Sequence, residues 1–193
     1  QEDVLAAFPT TPRIAMQACK GPGKTTTLSW IAWNFLATRP RSNVAATSVT
    51  GDNLQDGLWK EMAKWQAKSD MLKNRFEWQK TRIVAKEAPE DWFMSARTWP
   101  RKADAQAQAD SLAGFHADYT LFLIDESGSI PIAVGVAADA AMASGIEKHI
   151  VQAGNPTDPN GMLGRASKRR DQWLVFEITG DPDDAKRSPR VSV

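Results

Sequence analysis

The stretch Ala18-Cys19-Lys20-Gly21-Pro22-Gly23-Lys24-Thr25 constrains this chain more than any other. It matches the phosphate-loop pattern G-x-x-x-x-G-K-[ST] at Gly23, Lys24 and Thr25, with Ala18 in place of the first glycine. A loop of small residues lets successive backbone N–H groups turn inward around a polyphosphate. In that geometry Lys24 reaches the β- and γ-phosphate oxygens and the Thr25 hydroxyl sits on Mg²⁺. Thr25 also opens a helix, whose positive end favours a bound anion. The flanks agree. Ile14–Ala18 is a short apolar run that reads as a strand, and Leu28, Trp30, Ile31, Phe35 and Leu36 recur with near-helical spacing. Strand, loop and helix in that order argue against a chance Gly-Pro-Gly turn followed by a surface lysine.

A chain of 193 residues with a net charge of +1 is long enough for one domain with a full core. The charge gives no bias toward nucleic acid, so any basic surface must come from local clustering. The lone Cys19 excludes an internal disulfide framework and suits a reducing compartment. No apolar run approaches the ~20 residues needed to span a bilayer. The eight tryptophans are scattered, which fits core or subunit-contact positions better than a base-stacking platform. The chain starts at Gln1 without a methionine and ends in Ser188-Pro189-Arg190 and three further residues. It is expected to be a piece of a longer protein, with a domain over 1–180 and the start of a linker over 181–193.

The expected elements are a short amphipathic helix over Glu2–Phe8, the strand and helix flanking the loop, and a buried strand over Asn43–Thr47. A helix is expected from about Asn53 to Ala67, with Leu54, Leu58, Met62 and Trp65 inward and Lys60, Lys64 and Lys68 outward. A solvated basic face is favoured over a DNA contact for these lysines. A strand pair over Phe76–Ala85 and a strand over Trp92–Ala96 precede a polar segment, in which Ala103–Leu112 has helix-forming composition. Strands are expected over Tyr119–Ile124, His149–Ala153 and Trp173–Ile178, and helices over Pro131–Ala143 and Leu163–Lys168. Such alternation predicts an α/β fold, a mostly parallel central sheet with helices on both faces. Ligands then bind beyond the carboxyl ends of the strands.

Two more motifs fall at such ends. Leu121–Ile124 is a central-strand sequence from which Asp125 and Glu126 emerge. Asp125 is suited to hold Mg²⁺, and Glu126 to orient and deprotonate a water attacking the γ-phosphate. Adjacent acids there favour hydrolysis over transfer to a bound hydroxyl. Gly154-Asn155-Pro156 ends a third strand, and Asn155 could contact the γ-phosphate or the attacking water.

With these motifs in place, the chain resembles the ATPase domain of the large terminase subunit of tailed bacteriophages, a RecA/helicase-like P-loop NTPase. The likeness rests on the deviant Walker A at Cys19–Thr25 with its early basic residue Lys20, on the Walker B at Leu121–Glu126, on the coupling motif at Gly154, Asn155 and Pro156, and on the Thr-rich strand end Ala46–Thr50. It implies that Glu126, Lys24 and Lys20 are catalytic. It implies ATP contacts from Cys19, Lys20, Gly21, Pro22, Gly23, Lys24, Thr25 and Thr26, with Gln1 reading the adenine ring, and Mg²⁺ on Thr25 and Asp125. It further implies a ring, usually of five, on the portal protein of a procapsid in the host cytoplasm. There, with a small terminase subunit, ATP hydrolysis drives double-stranded DNA inward. The family's nuclease carboxylates have no counterpart here, so the motor domain alone is expected. One departure concerns the arginine that many members place before Walker B as a finger acting across the subunit boundary. Ala113-Gly114-Phe115-His116 stands there instead. Arg97, Arg101, Arg165, Arg169 and Arg170 are the remaining candidates, and a structural or solvent-facing role is favoured for His116 over a substitute contact. A helicase-like ATPase and a nucleotide-gated assembly module with little turnover are the competing readings.

Overall fold

The computed structural model describes residues 1–98, 117–141, 144–181 and 183–184. Helix α1 (Glu2–Ala7) runs into a single 3₁₀ turn and then strand β1 (Arg13–Ala18). The loop after β1 leads to α2 (Lys24–Thr38) and β2 (Asn43–Thr47). A continuous helical rod follows, made of α3 (Gly51–Leu54), a π-helical turn (Gln55–Trp59) and α4 (Lys60–Gln66). Then come α5 (Asp70–Arg75), β3 (Phe76–Trp78), β4 (Arg82–Ala85), β5 (Phe93–Ala96) and β6 (Tyr119–Ile124). The chain continues through α6 (Ile132–Ala141), β7 (Glu147–Gly154), α7 (Met162–Lys168) and β8 (Leu174–Ile178).

The eight strands form one sheet in the order β3-β4-β5-β2-β6-β7-β1-β8. From β5 to β8 all neighbours are parallel, and the hairpin β3–β4 adds two antiparallel strands at one edge. A parallel sheet needs cover on both faces, and the sequence supplies apolar residues at successive strand positions. Val44 and Ala46, Leu121 and Leu123, and Val151 and Ala153 face the core shared with α1, α2 and α4. Their neighbours Ala45, Phe122, Ile124 and Ile150 face the opposite core, under Val134 and Ala138 of α6 and Met162 of α7. The expected α/β architecture is therefore the one observed.

The differences are local. The helix after β2 begins at Gly51, because the Thr50 hydroxyl accepts the Asn53 N–H at 3.0 Å. The π-helical turn inside it has no signature in apolar spacing. Helix α5 was not foreseen; Ser69 caps it by accepting the Leu72 N–H. Of the tryptophans, Trp33, Trp59 and Trp92 are core residues, whereas Trp78 is exposed at the edge hairpin. The segment Ala103–Leu112, Arg101, His116 and residues 185–193 lie outside the described residues.

A polar set built on the buried His149 fastens the rim away from the loop. His149 donates to the Thr11 carbonyl and bonds Glu147, both at 3.0 Å, and Arg39 at the end of α2 grips the same carboxylate at 2.6 Å. Burial alone would raise the Glu147 carboxyl; hydrogen bonds from Arg39 and His149 outweigh it and hold it below the usual value.

Candidate active site

The loop between β1 and α2 turns on two glycines in the left-handed region, Gly21 (φ 87°) and Gly23 (φ 85°). Gly23 has a second reason to lack a side chain. The Gln1 amide lies over it and donates to its carbonyl at 3.3 Å, and a Cβ there would meet Gln1 Nε2 at 2.1 Å. Lys24 is buried under the loop it belongs to. Its Nζ donates to the carbonyls of Ala18 (3.3 Å) and Cys19 (2.7 Å) and to Asn155 Oδ1 (2.9 Å). Thr25 Oγ1 donates to Asp125 Oδ2 at 3.1 Å, and Thr26 Oγ1 donates to Glu61 at 3.2 Å.

Three strand ends far apart in sequence thus converge. Strand β7 lies between β1 and β6, so Asn155, one residue past β7, sits beside both the loop and the acid pair. Asp125 is 2% exposed. Burial pushes its carboxyl up to about 6, against the hydrogen bond from Thr25 and with the Glu126 charge adding to the rise. Its Oδ1 accepts the Glu126 N–H at 3.0 Å. Glu126 itself adopts φ 55°, a strained backbone for a residue with a side chain, and its carboxylate is exposed to the cleft. Close glycine contacts impose that turn. A Cβ on Gly154 would lie 2.7 Å from the Gly128 nitrogen, and one on Gly128 would lie 1.7 Å from the Asn155 carbonyl oxygen. The turn bearing Glu126 and the turn bearing Asn155 are therefore interlocked backbone to backbone.

A cleft of about 670 Å³ opens over the loop. Lys20, Gly21, Pro22, Gly23, Lys24, Thr25 and Thr26 form one wall, with Glu126 and Asn155 beside them. Gln1, Cys19, Gly154 and Pro156 do not line it; the first two brace the loop, and Gly154 and Pro156 flank Asn155. Asp125 lies beneath, behind Thr25. The opposite wall was missed in the sequence. Asp56, Gly57, Lys60 and Glu61 of the helical rod supply it. Gly57 marks the approach: a Cβ there would lie 3.5 Å from Asp125 Oδ2 and 3.9 Å from Thr25 Cγ2. None of Arg97, Arg165, Arg169 and Arg170 lines the cleft; Arg169 pairs with Asp171 and Arg170 with Glu177.

The donor set fits a hard divalent cation. Thr25 and Asp125 present two oxygens side by side, one of them a buried carboxylate that lacks a cationic partner at salt-bridge distance among the described residues. No group of three carboxylate, imidazole or thiol residues converges anywhere among the described residues. A Mg²⁺ here would draw its remaining ligands from substrate phosphates and water, as is usual for this ion.

Solved structures share this fold. The large terminase of a thermophilic bacteriophage superposes with a TM-score of 0.68 at 16% identity, over 98% of this chain and 47% of its own. The fold is that of a phage large-terminase ATPase domain. The isolated large-terminase ATPase domain of a Thermus phage, a mutant, matches over 90% of this chain and 78% of its own, with a TM-score of 0.59 and 15% identity. The thermophilic phage terminase was also solved in complex with ADP, and that structure matches at 0.62 and 14% identity, over 88% of this chain and 40% of its own. The chain spans less than half the length of the full large terminases it resembles. No protein-family model and no curated protein matches the sequence. No helix among the described residues is long and apolar enough to cross a membrane.

Proposed function

We propose that this chain is an ATP-hydrolysing motor domain of the terminase type, working on double-stranded DNA. The observation that carries the reading is the pair of hydrogen bonds joining the loop to the other two motifs, Thr25 to Asp125 and Lys24 to Asn155. Backbone N–H groups of Gly21–Thr25 would wrap the phosphates of ATP, and Lys24 would exchange its carbonyl and Asn155 partners for phosphate oxygens. Thr25 and Asp125 would hold Mg²⁺, which supplies neutralising charge to the β- and γ-phosphates. Lys20, exposed on the rim, would add positive charge as the transition state develops, and Gln1 would face the base.

Glu126, exposed to the cleft, would take a proton from water as the water oxygen bonds the γ-phosphorus. The bond from that phosphorus to the β–γ bridging oxygen breaks, leaving ADP and inorganic phosphate. Loss of Asn155 as a partner on binding, and its return to Lys24 afterwards, would make this residue report the state of the site, in keeping with a coupling role. The likeness to terminases further supports assembly as a ring, likened to a pentamer, on the portal of a procapsid, in company with a small subunit.

The test is the rate of ATP hydrolysis with and without double-stranded DNA. Glu126→Gln should bind ATP as the parent does and lose hydrolysis by about a hundredfold or more. Hydrolysis at the parent rate in that variant overturns the assignment.

A further inference from the structure

We infer that Lys60 is a second phosphate-binding lysine of the same site, one that contacts the terminal phosphate of a nucleoside triphosphate from the wall facing the loop. The inference rests on the proposed ATP site and adds a residue that its sequence motifs do not contain. Lys60 and Lys64 lie on the helical rod and Lys68 in the turn just after it, at equal spacing in the sequence, yet the structure separates them. Lys64 and Lys68 lie over the Trp65 ring at 5.6 and 4.6 Å, and Lys64 also pairs with Glu61 at 2.9 Å. Lys60 alone of the three lines the cleft.

Just before Lys60 runs the π-helical turn. It carries Gly57 to contact distance of Asp125 Oδ2 and Thr25, the end of the site where the metal and terminal phosphate belong. Such turns inside α-helices recur at functional sites. The nearby acids do not claim the ammonium. Glu61 is engaged by Thr26, Lys64 and Trp65, and no carboxylate among the described residues comes within 4.0 Å of Lys60. The cleft balances Lys20, Lys24 and Lys60 against Asp56, Glu61 and Glu126, and an entering polyanion meets in Lys60 an exposed ammonium with no ion pair to break among the described residues.

The experiment compares binding of a non-hydrolysable ATP analogue, ADP and inorganic phosphate to the parent, Lys60→Ala, Lys60→Arg and Lys64→Ala. Lys60→Ala should weaken the triphosphate about ten- to hundredfold, the scale of a charge-assisted hydrogen bond. ADP should change less than about threefold, and Lys60→Arg should recover most of the loss. Lys64→Ala should match the parent. Equal triphosphate binding by Lys60→Ala and parent overturns the inference while leaving the ATP site standing. Equal loss of ADP and triphosphate overturns the terminal-phosphate assignment, and weakened inorganic phosphate alone would mark Lys60 as a product contact instead. Failure of the parent to bind any of the three overturns both readings. A circular-dichroism melt of each variant separates a folding defect from a binding one, and Lys60→Gln, which keeps the stem, stands in if the alanine variant does not fold.

Discussion

Replacing Asp125 by asparagine should stabilise the nucleotide-free domain while abolishing its chemistry. The carboxyl rises from an ordinary 3.8 to about 6, chiefly through burial. That rise of about two units corresponds to about 3 kcal/mol, at 1.36 kcal/mol per unit. The sign follows from linkage. A group whose pKa is higher in the folded state contributes fully below its unfolded value, and the contribution is lost as pH rises through the folded value. At pH 7.5 the buried carboxylate is ionised and the full cost applies; below about pH 4 it vanishes. Asparagine has the same shape and keeps both partners. Its oxygen accepts the Glu126 N–H, and its amide donates to Thr25 Oγ1 once that hydroxyl turns. Thermal melts of the nucleotide-free proteins should therefore place Asp125→Asn above the parent by roughly 6–12 °C at pH 7.5, from about 2–4 °C per kcal/mol for a chain of this size. The gap should close between pH 6 and pH 4. Mg²⁺ with ADP should raise the parent more than the variant, because a cation removes the penalty of the charge. A variant no more stable than the parent at pH 7.5, or one whose advantage survives unchanged at pH 4, refutes the reasoning.

Gly128→Ala should cost about 3 kcal/mol and hydrolysis together, since its Cβ would overlap the Asn155 carbonyl; Gly21→Ala, in open space at φ 87°, should cost about 1–2 kcal/mol, and denaturant melts compare them. Gln152 is fully buried and neither amide atom has a hydrogen-bond partner among the described residues, so Gln152→Met should raise stability by about 1–3 kcal/mol in the same assay. The lowered Glu147 carboxyl contributes stability above its ordinary 4.5 that is lost as pH falls through the folded value; Arg39→Ala should flatten that part of the acid melt. The proposed DNA binding, if made through phosphates, should fall steeply with added salt, and a salt-insensitive affinity measured by anisotropy contradicts a backbone contact.

The near wall of the site was legible in the sequence because each part combines residue type with position. Lys24 and Thr25 follow a glycine turn, and Asp125 and Glu126 follow four apolar residues, so both sit at the ends of buried parallel strands. Alternation of strand and helix then forces these ends onto one rim. The far wall was not legible. Asp56, Lys60 and Glu61 belong to a helix whose apolar residues fix its inner face, and spacing alone reads its polar face as solvent-exposed. The π-helical turn in it has no signature in apolar spacing, and the approach of Gly57 to Asp125 and Thr25 joins residues far apart in the chain, which no local pattern encodes. Gly128 was equally silent, because its reason for lacking a Cβ is a carbonyl 27 residues further along the chain.

Helix α2 and strand β7 are joined at both extremities: Lys24, which begins the helix, holds Asn155 past the end of the strand, and Arg39, which caps the helix, holds Glu147 at the strand's beginning. The two run side by side like the long members of a gate. In the proposed exchange of Asn155 for a phosphate at Lys24, the latch would lift at one post while the hinge at the other stayed fastened. Any tilt that a ligand induced in the helix would then pivot at Arg39 and reach its largest displacement at the loop, ~22 Å away.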